Sequence, residues 1–437
     1  MAYFGEVNHA ANYLNAWLDL RHEQGRDVKR LVAEATRCLD AIAKEAERLG
    51  PPPELANEEP IELVDIRALR PRGPRKLALR LSEAELYDRV LGAWLGRAAG
   101  CMLGIPCEGM SKDAIRNACR ALGQPYPLND YWHLDPKPAS GDHKHYGLTP
   151  RRKYLKRHMD RIGTDDDLTY TLLGLLIFED YGIDFTTQDV GAAWLRYLPM
   201  ACTAEHVALE NLKKGIEPPE TARIDNPYQE WIGADIRSDP WGYAAPGLPE
   251  VAADFAYRDA SVSHIMNGTY GEMFFSAAIA AAFALGEVED VLEVALTEIP
   301  KRCRTAKAVK EAIAWCHRDG DWDATTKRIL EKYAGMSGAH TLNNAALTVA
   351  GLLYGKGDFD KTITLTVMGG VDTDCTGATA GSIFGAMVGA KRLPRKWTRP
   401  LGDRAESYLI GHRRWRSSDV ARRFCRVAAQ VRDCYAW

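Results

Sequence analysis

The sequence of 437 residues predicts an all-α protein, and three observations carry that reading. Apolar residues recur at three- and four-residue steps through most of the chain. Alternating β-branched runs are nearly absent. Many of the periodic stretches close on glycine, the residue that most easily ends a helix.

Taken in order, Leu31, Ala35, Leu39, Ile42, Ala46 and Leu49 follow helical steps with charges between them. Gly50 and Pro51-Pro52-Pro53 end that segment, because proline cannot donate the next helical hydrogen bond. Residues 54–80 carry Pro60, Pro71 and Pro74 among charges and read as an irregular linker. Ser82 and Glu85 then form an S-x-x-E capping box that opens a new helix. The expected division is therefore an N-terminal helical extension and linker over 1–80 and a main domain over 81–437. Within that domain, 169–182, 273–286, 288–299, 305–320 and 343–355 are alanine- and leucine-rich helical stretches. Loops rich in proline, glycine and aromatics are expected at about 121–152 and 215–250.

Two stretches share an unusual feature. Gly92, Gly96, Gly100 and Gly104 recur every four residues, and so do Gly377, Gly381, Gly385 and Gly389. A glycine inside a helix costs about 1 kcal/mol relative to alanine. Four on one face imply close backbone approach to a neighbouring helix. Arg97 and the short apolar lengths argue against a membrane reading of this pattern.

Composition excludes several classes. Apolar residues are 46% and charged residues 26%, as in an ordinary globular protein; length suggests two to three domains without counting them. The 56 basic and 59 acidic residues leave a net charge of -3, so no footprint for nucleic acid is read. The first twenty residues lack the basic and apolar regions of a signal peptide, and no run of about 18 uninterrupted apolar residues suggests a membrane span. Ten scattered cysteines, with Cys101 and Cys107 the one close pair and outside zinc spacing, fit buried thiols in a reducing compartment. The cytoplasm is the expected location.

Two acidic clusters carry the chemistry. Gly163-Thr164-Asp165-Asp166-Asp167 precedes one apolar helix, and Gly369-Gly370-Val371-Asp372-Thr373-Asp374-Cys375 precedes the second glycine-stepped one. Each alone has a capping explanation: Thr164 is a good N-cap, and aspartates in a first turn complement the helix dipole. Three consecutive aspartates exceed that need, and the double glycine lets the second cluster turn tightly. Hard divalent cations bind carboxylate and hydroxyl oxygens, and two ions sharing carboxylates sit about 3.5–4 Å apart. Two such helix starts pointing at one another would make that cage.

The segments GAWLGRAAGCMLGIPCE (92–108), GTDDD (163–167) and GGVDTDCTGATAGSIFGA (369–386) resemble, in order, the signature blocks of the ADP-ribosylglycohydrolase family. SDPWGYAAPG (238–247), DASVSHIMNG (259–268) and NNAALTVAGLLYGKGDF (343–359) fit the stretches between, so the resemblance covers roughly 85–390. It implies a compact orthogonal helical bundle with an N-terminal helical extension, and two Mg²⁺ or Mn²⁺ ions in a cleft. It implies metal ligation by Thr164, Asp165, Asp166, Asp372 and Asp374, with Cys375 at a place where better-known members carry a threonine ligand. A thiolate there would favour manganese or zinc over magnesium. Asp167 likewise replaces a common threonine and adds charge. Glu108 matches a mobile glutamate near the substrate, and His264, Asn267, Gly268 and Tyr243 match the lining of the substrate cleft. Asp239-Pro240-Trp241-Gly242 falls in the loop beside it. Tyr131 and Trp132 are read chiefly as packing, with base stacking the alternative.

The reaction so implied is hydrolysis of a glycosidic bond at a ribose anomeric carbon, on an ADP-ribosylated protein or a small ribosyl substrate. The ions would hold the sugar hydroxyls and lower the pKa of the attacking water, with Glu108 or Asp166 taking its proton. An N-ribosidase acting on a nucleoside-like molecule is the second reading, and a catalytically inactive binding or structural member is the third.

Overall fold

The computed structural model describes residues 5–138, 141 and 143–435, and among them carries 21 α-helices and two hairpins of two-residue strands. The all-α class holds. The expected helices are present, most starting a turn or less before the periodic stretch: Asp166–Tyr181, Met266–Ala282, Val288–Leu296, Arg304–Asp319 and Thr341–Gly355.

Two compact units divide the chain. One comprises 1–57 with 331–337, the other 58–330 with 338–437. In the first, helices Gly5–Glu23 and Lys29–Leu49 contain no buried residue. The boundary between the units lies at 57/58, upstream of residue 80. Residues 58–80 are packed into the larger unit, because their charges meet buried partners. Glu59 accepts from the Arg304 backbone N–H at 2.6 Å, and Arg70 and Arg75 clamp the fully buried Glu298 at 2.7 and 2.8 Å. The Leu77 N–H donates to the Gly247 carbonyl at 2.8 Å.

Helix Glu83–Gly104 begins at the expected capping box, with the Ser82 hydroxyl accepting from Glu85 N and Glu85 accepting from Ser82 N. It runs antiparallel to helix Thr373–Val388, and the two glycine ladders meet at three rungs, Gly92 with Gly385, Gly96 with Gly381 and Gly100 with Gly377. A Cβ on Gly100 would lie 1.8 Å from the Gly377 carbonyl oxygen; one on Gly96 would lie 2.1 Å from that of Gly381. A Cβ on Gly92 would lie 2.7 Å from the Gly385 oxygen, and one on Gly104 would lie 2.3 Å from Asp374 N. No side chain fits such gaps. The partner of each ladder is the other ladder.

This helix is long and apolar enough to cross a membrane, yet 89% of its apolar window is buried inside the protein. Helix Asp166–Tyr181 is fixed at its far end by Phe178, whose ring contacts Phe185, Trp241 and Phe255 at 5.3–5.5 Å. Such aromatic pairs contribute about 0.5–1.5 kcal/mol each beyond area burial. Tyr131 and Trp132 are fully buried, and the Tyr131 hydroxyl donates to the Trp397 carbonyl at 2.8 Å, so packing is their role.

Candidate metal centre

The ladder register positions the site. Gly104 sits against Asp374, so the end of helix Glu83–Gly104 meets the start of helix Thr373–Val388. The Thr373 hydroxyl donates to the Gly104 carbonyl at 2.9 Å. Beyond that point the two chains are stitched by backbone hydrogen bonds, Gly109 N to Val371 O at 2.8 Å and Val371 N to Met110 O at 3.0 Å. Glu108 is thereby set beside Asp372. Val371 holds φ at +61°, a conformation that a β-branched residue rarely adopts, and it turns the chain into Asp372.

The other face of helix Glu83–Gly104 holds the first acidic cluster. Arg97 is fully buried and donates to the Asp167 carbonyl at 2.7 Å, the Asp167 carboxylate at 3.1 Å and the Ile236 carbonyl at 2.5 Å. Its remaining nitrogen pairs with the Asp239 carboxylate at 2.6 Å. One turn on, the Cys101 thiol donates to Asp165 at 3.3 Å. The N-cap is Asp165, which accepts from Asp167 N at 3.0 Å; Thr164 lies one residue before it, buried. Thr164 is instead held by Thr149, whose hydroxyl accepts from Thr164 N at 3.0 Å. A single helix therefore grips both acidic segments.

The clusters converge. Ligand atoms of Asp167, Asp374 and Cys375 lie within 4.8 Å of one another, as do those of Asp165, Asp166 and Asp167. Asp167 Oδ2, Asp372 Oδ1 and Asp374 Oδ1 are buried with no hydrogen-bond partner among the described residues. Unpartnered carboxylate oxygens away from water cost several kcal/mol, a cost that cations would relieve. Burial, and then neighbouring carboxylates, pushes the acids of Asp166 and Asp374 well above the usual range. Burial also raises Asp167 against the pull of Arg97, and raises Asp372. Glu108 stands exposed at the rim; loss of surrounding water and then Asp372 and Asp165 push its acid up to about 7. Burial holds the Cys375 thiol well above 9, so without a cation it is neutral.

Four expected cleft residues do not line this cage, because burial and core hydrogen bonds occupy them. Tyr243 is 0% exposed and its hydroxyl serves Asp239 and Ser382, at 2.8 and 2.9 Å. Asn267 is 0% exposed, donating to Glu59 and Glu230 and accepting from Thr305. His264 is 1% exposed with Nδ1 on the Ser263 hydroxyl, and burial pushes its acid well below 6.5. Gly268 is buried against the Gln229 carbonyl. Asp239 and Trp241 belong to the same core, Trp241 donating to Glu272 at 2.7 Å. Residues that sequence reasoning missed are Cys101, Arg97 as counter-charge, and His145, whose Nε2 lies 2.9 Å from Asp165 Oδ2. No local pattern marked them.

The ADP-ribosylglycohydrolase family model matches residues 82–431. The chain belongs to the ADP-ribosylglycohydrolase family. A solved "ADP-ribosylglycohydrolase-related protein complex" superposes with a TM-score of 0.50 at 20% identity, covering 79% of this chain and 99% of that one. That likeness shows the fold. No curated protein matches the chain. As a family member, this ADP-ribosylglycohydrolase homologue pairs its first acidic block with Arg97, which answers the extra charge of Asp167.

Two expectations follow from these electrostatics. Replacing Arg97 with methionine leaves Asp167 and Asp239 buried without a counter-charge and should cost about 3–5 kcal/mol in urea denaturation. The second concerns pH. Glu108 titrates at 4.5 in an unfolded chain and about 7 here, so the folded protein binds the proton more tightly. Its contribution is fully present below the unfolded value and is lost as pH rises through 7. Asp166, Asp167, Asp372 and Asp374 shift in the same direction. The metal-free protein should therefore melt at lower temperature at about pH 8 than at about pH 6, and Mn²⁺ should reverse the difference.

Proposed function

We propose that the chain is a metal-dependent glycohydrolase that cleaves a ribosyl bond, with an ADP-ribosyl group as the favoured substrate, through a centre of two Mg²⁺ or Mn²⁺ ions. The observation that carries this reading is the meeting of two acidic helix starts with buried, unpartnered carboxylate oxygens between them. Asp165, Asp166, Asp167, Asp372, Asp374 and Cys375 present the donors; Thr164 stands behind them with its hydroxyl hydrogen-bonded to Thr149. Six carboxylates counting Glu108, with Arg97 shared between Asp167 and Asp239, fit two divalent cations in charge as well as in donor type.

Bound ions would supply positive charge for the sugar hydroxyls and for acidifying water. The protein's own part is positional. Arg97 and the Asp165 cap hold the first cluster, and the ladder and the Gly109–Val371 stitch hold the second. Glu108, exposed and titrating near neutrality, accepts and returns a proton at its carboxylate; Asp166, half-buried and electrostatically linked to it, is the second candidate. Membership of the family and the intact acidic set support catalysis over an inert scaffold, which has no need for this repulsion.

The test is incubation of the Mn²⁺-loaded protein with ADP-ribosyl-arginine, ADP-ribosyl-serine and simple nucleosides, with chromatography of the products. Release of ADP-ribose supports the reading. Cleavage of nucleosides alone would instead assign an N-ribosidase, and no turnover with no Mn²⁺ binding would overturn the proposal.

A further inference from the structure

His145 was outside every motif, yet it reaches the first acidic cluster. It lies on the strand Lys144–His145, paired with Thr149–Pro150 so that His145 faces Thr149. Thr149 in turn is the residue that holds Thr164, so the hairpin is sewn to the ligand loop. The imidazole is fenced edge-on by Tyr146 at 4.6 Å and Tyr154 at 5.5 Å between ring centroids. The Tyr154 hydroxyl donates to the Thr164 carbonyl at 2.6 Å, which ties the fence to the same loop.

The two oxygens of Asp165 are used differently. Oδ1 accepts from Asp167 N at 3.0 Å and from the Cys101 thiol at 3.3 Å. Among the described residues Oδ2 has one hydrogen-bond partner, His145 Nε2 at 2.9 Å. The oxygen free for a cation is the one beside the imidazole. Ligand atoms at about 2.0–2.2 Å from one ion, on adjacent positions, lie roughly 3 Å apart. The observed separation already matches that spacing. Asp165 is 0% exposed and the His145 side chain 18%, so the ring stands at the wall of the cage with little competing solvent. Asp372 Oδ1 and Asp374 Oδ1, buried and unpartnered, show independently that the cage has oxygens to spare for an ion.

We propose that His145 Nε2 is a nitrogen ligand of the divalent ion that Asp165 Oδ2 holds. This rests on the metal-centre reading above and adds to it. An imidazole in the donor set makes it less hard than carboxylate alone, tilting it from Mg²⁺ toward Mn²⁺ and later first-row ions.

The experiment compares full-length wild type with His145→Gln and His145→Ala, first metal-free and then with one Mn²⁺ per chain. Glutamine keeps an N–H donor for Asp165 and removes the imidazole, so it separates ligation from mere positioning. The expected result is pulsed electron paramagnetic resonance showing ¹⁴N coupling to Mn²⁺ in wild type and none in either variant. The preference for Mn²⁺ over Mg²⁺ in competition titration should fall about tenfold or more, while metal-free circular dichroism stays unchanged in His145→Gln, which keeps the N–H donor for Asp165. Wild-type Mn²⁺ binding without ¹⁴N coupling, or coupling that persists in His145→Gln, overturns the role of His145 and leaves the metal centre standing. Failure of wild type to bind Mn²⁺ overturns both.

Discussion

Replacing Asp165 and Asp372 together with alanine should abolish divalent-ion-dependent hydrolysis, by at least about 10³-fold, the scale on which one preorganised electrostatic group is lost. One substitution strikes each acidic segment, so neither half of the cage survives. Asp165 is also an N-cap, worth about 1 kcal/mol to its helix. Asp372 keeps one buried carboxylate oxygen, Oδ1, without a hydrogen-bond partner among the described residues. Removing Asp372 alone should therefore leave the metal-free protein as stable as wild type or more so, while its stabilisation by Mn²⁺ shrinks. Melting with and without Mn²⁺, run beside the hydrolysis assay, reads both effects. Full activity in the double variant would refute the site.

Gly100→Ala should cost about 3 kcal/mol or more, although it adds one methyl group to a helix and alanine is the better helix former. The new Cβ would stand 1.8 Å from a backbone oxygen of the facing helix, and backbone cannot swing aside as a side chain can. The helices must separate, and their separation acts on the site, because Gly104 against Asp374 is the next rung. Weaker Mn²⁺ binding should accompany the loss of stability. Gly286→Ala is the control: nothing lies within 4 Å of its Cβ position, so it should be neutral within about 0.5 kcal/mol or slightly stabilising. Urea denaturation of the two variants compares them directly; an equal response would refute the ladder argument.

Much of this was legible locally. The S-x-x-E box at Ser82 and Glu85, the helical periods and the four-residue glycine steps each report on one element's own turn or face, and the structure shows them as read. The acidic clusters were visible as more charge than capping requires. The errors came where a residue's meaning lay in distant neighbours. Tyr243, His264, Asn267 and Gly268 sit in blocks that resemble a substrate lining, but Asp239, Ser263, Glu59 and Gln229 claim them for the core. The linker prolines suggested irregular chain, but short helices Pro53–Glu58 and Leu63–Leu69 run through it, and the prolines concealed the buried ion pairs that bind residues 58–80 to the larger unit.

The sequence by itself determined the helical class, both ladders and where acidic charge is concentrated, since helix periodicity and charge density are properties of a few consecutive residues. Only the tertiary structure decided that each ladder packs on the other, that Arg97 neutralises Asp167, and that Cys101 and His145 touch Asp165. The physical reason is range: these contacts join segments from 20 to nearly 300 residues apart, and close packing, which no local pattern encodes, chooses which of them meet.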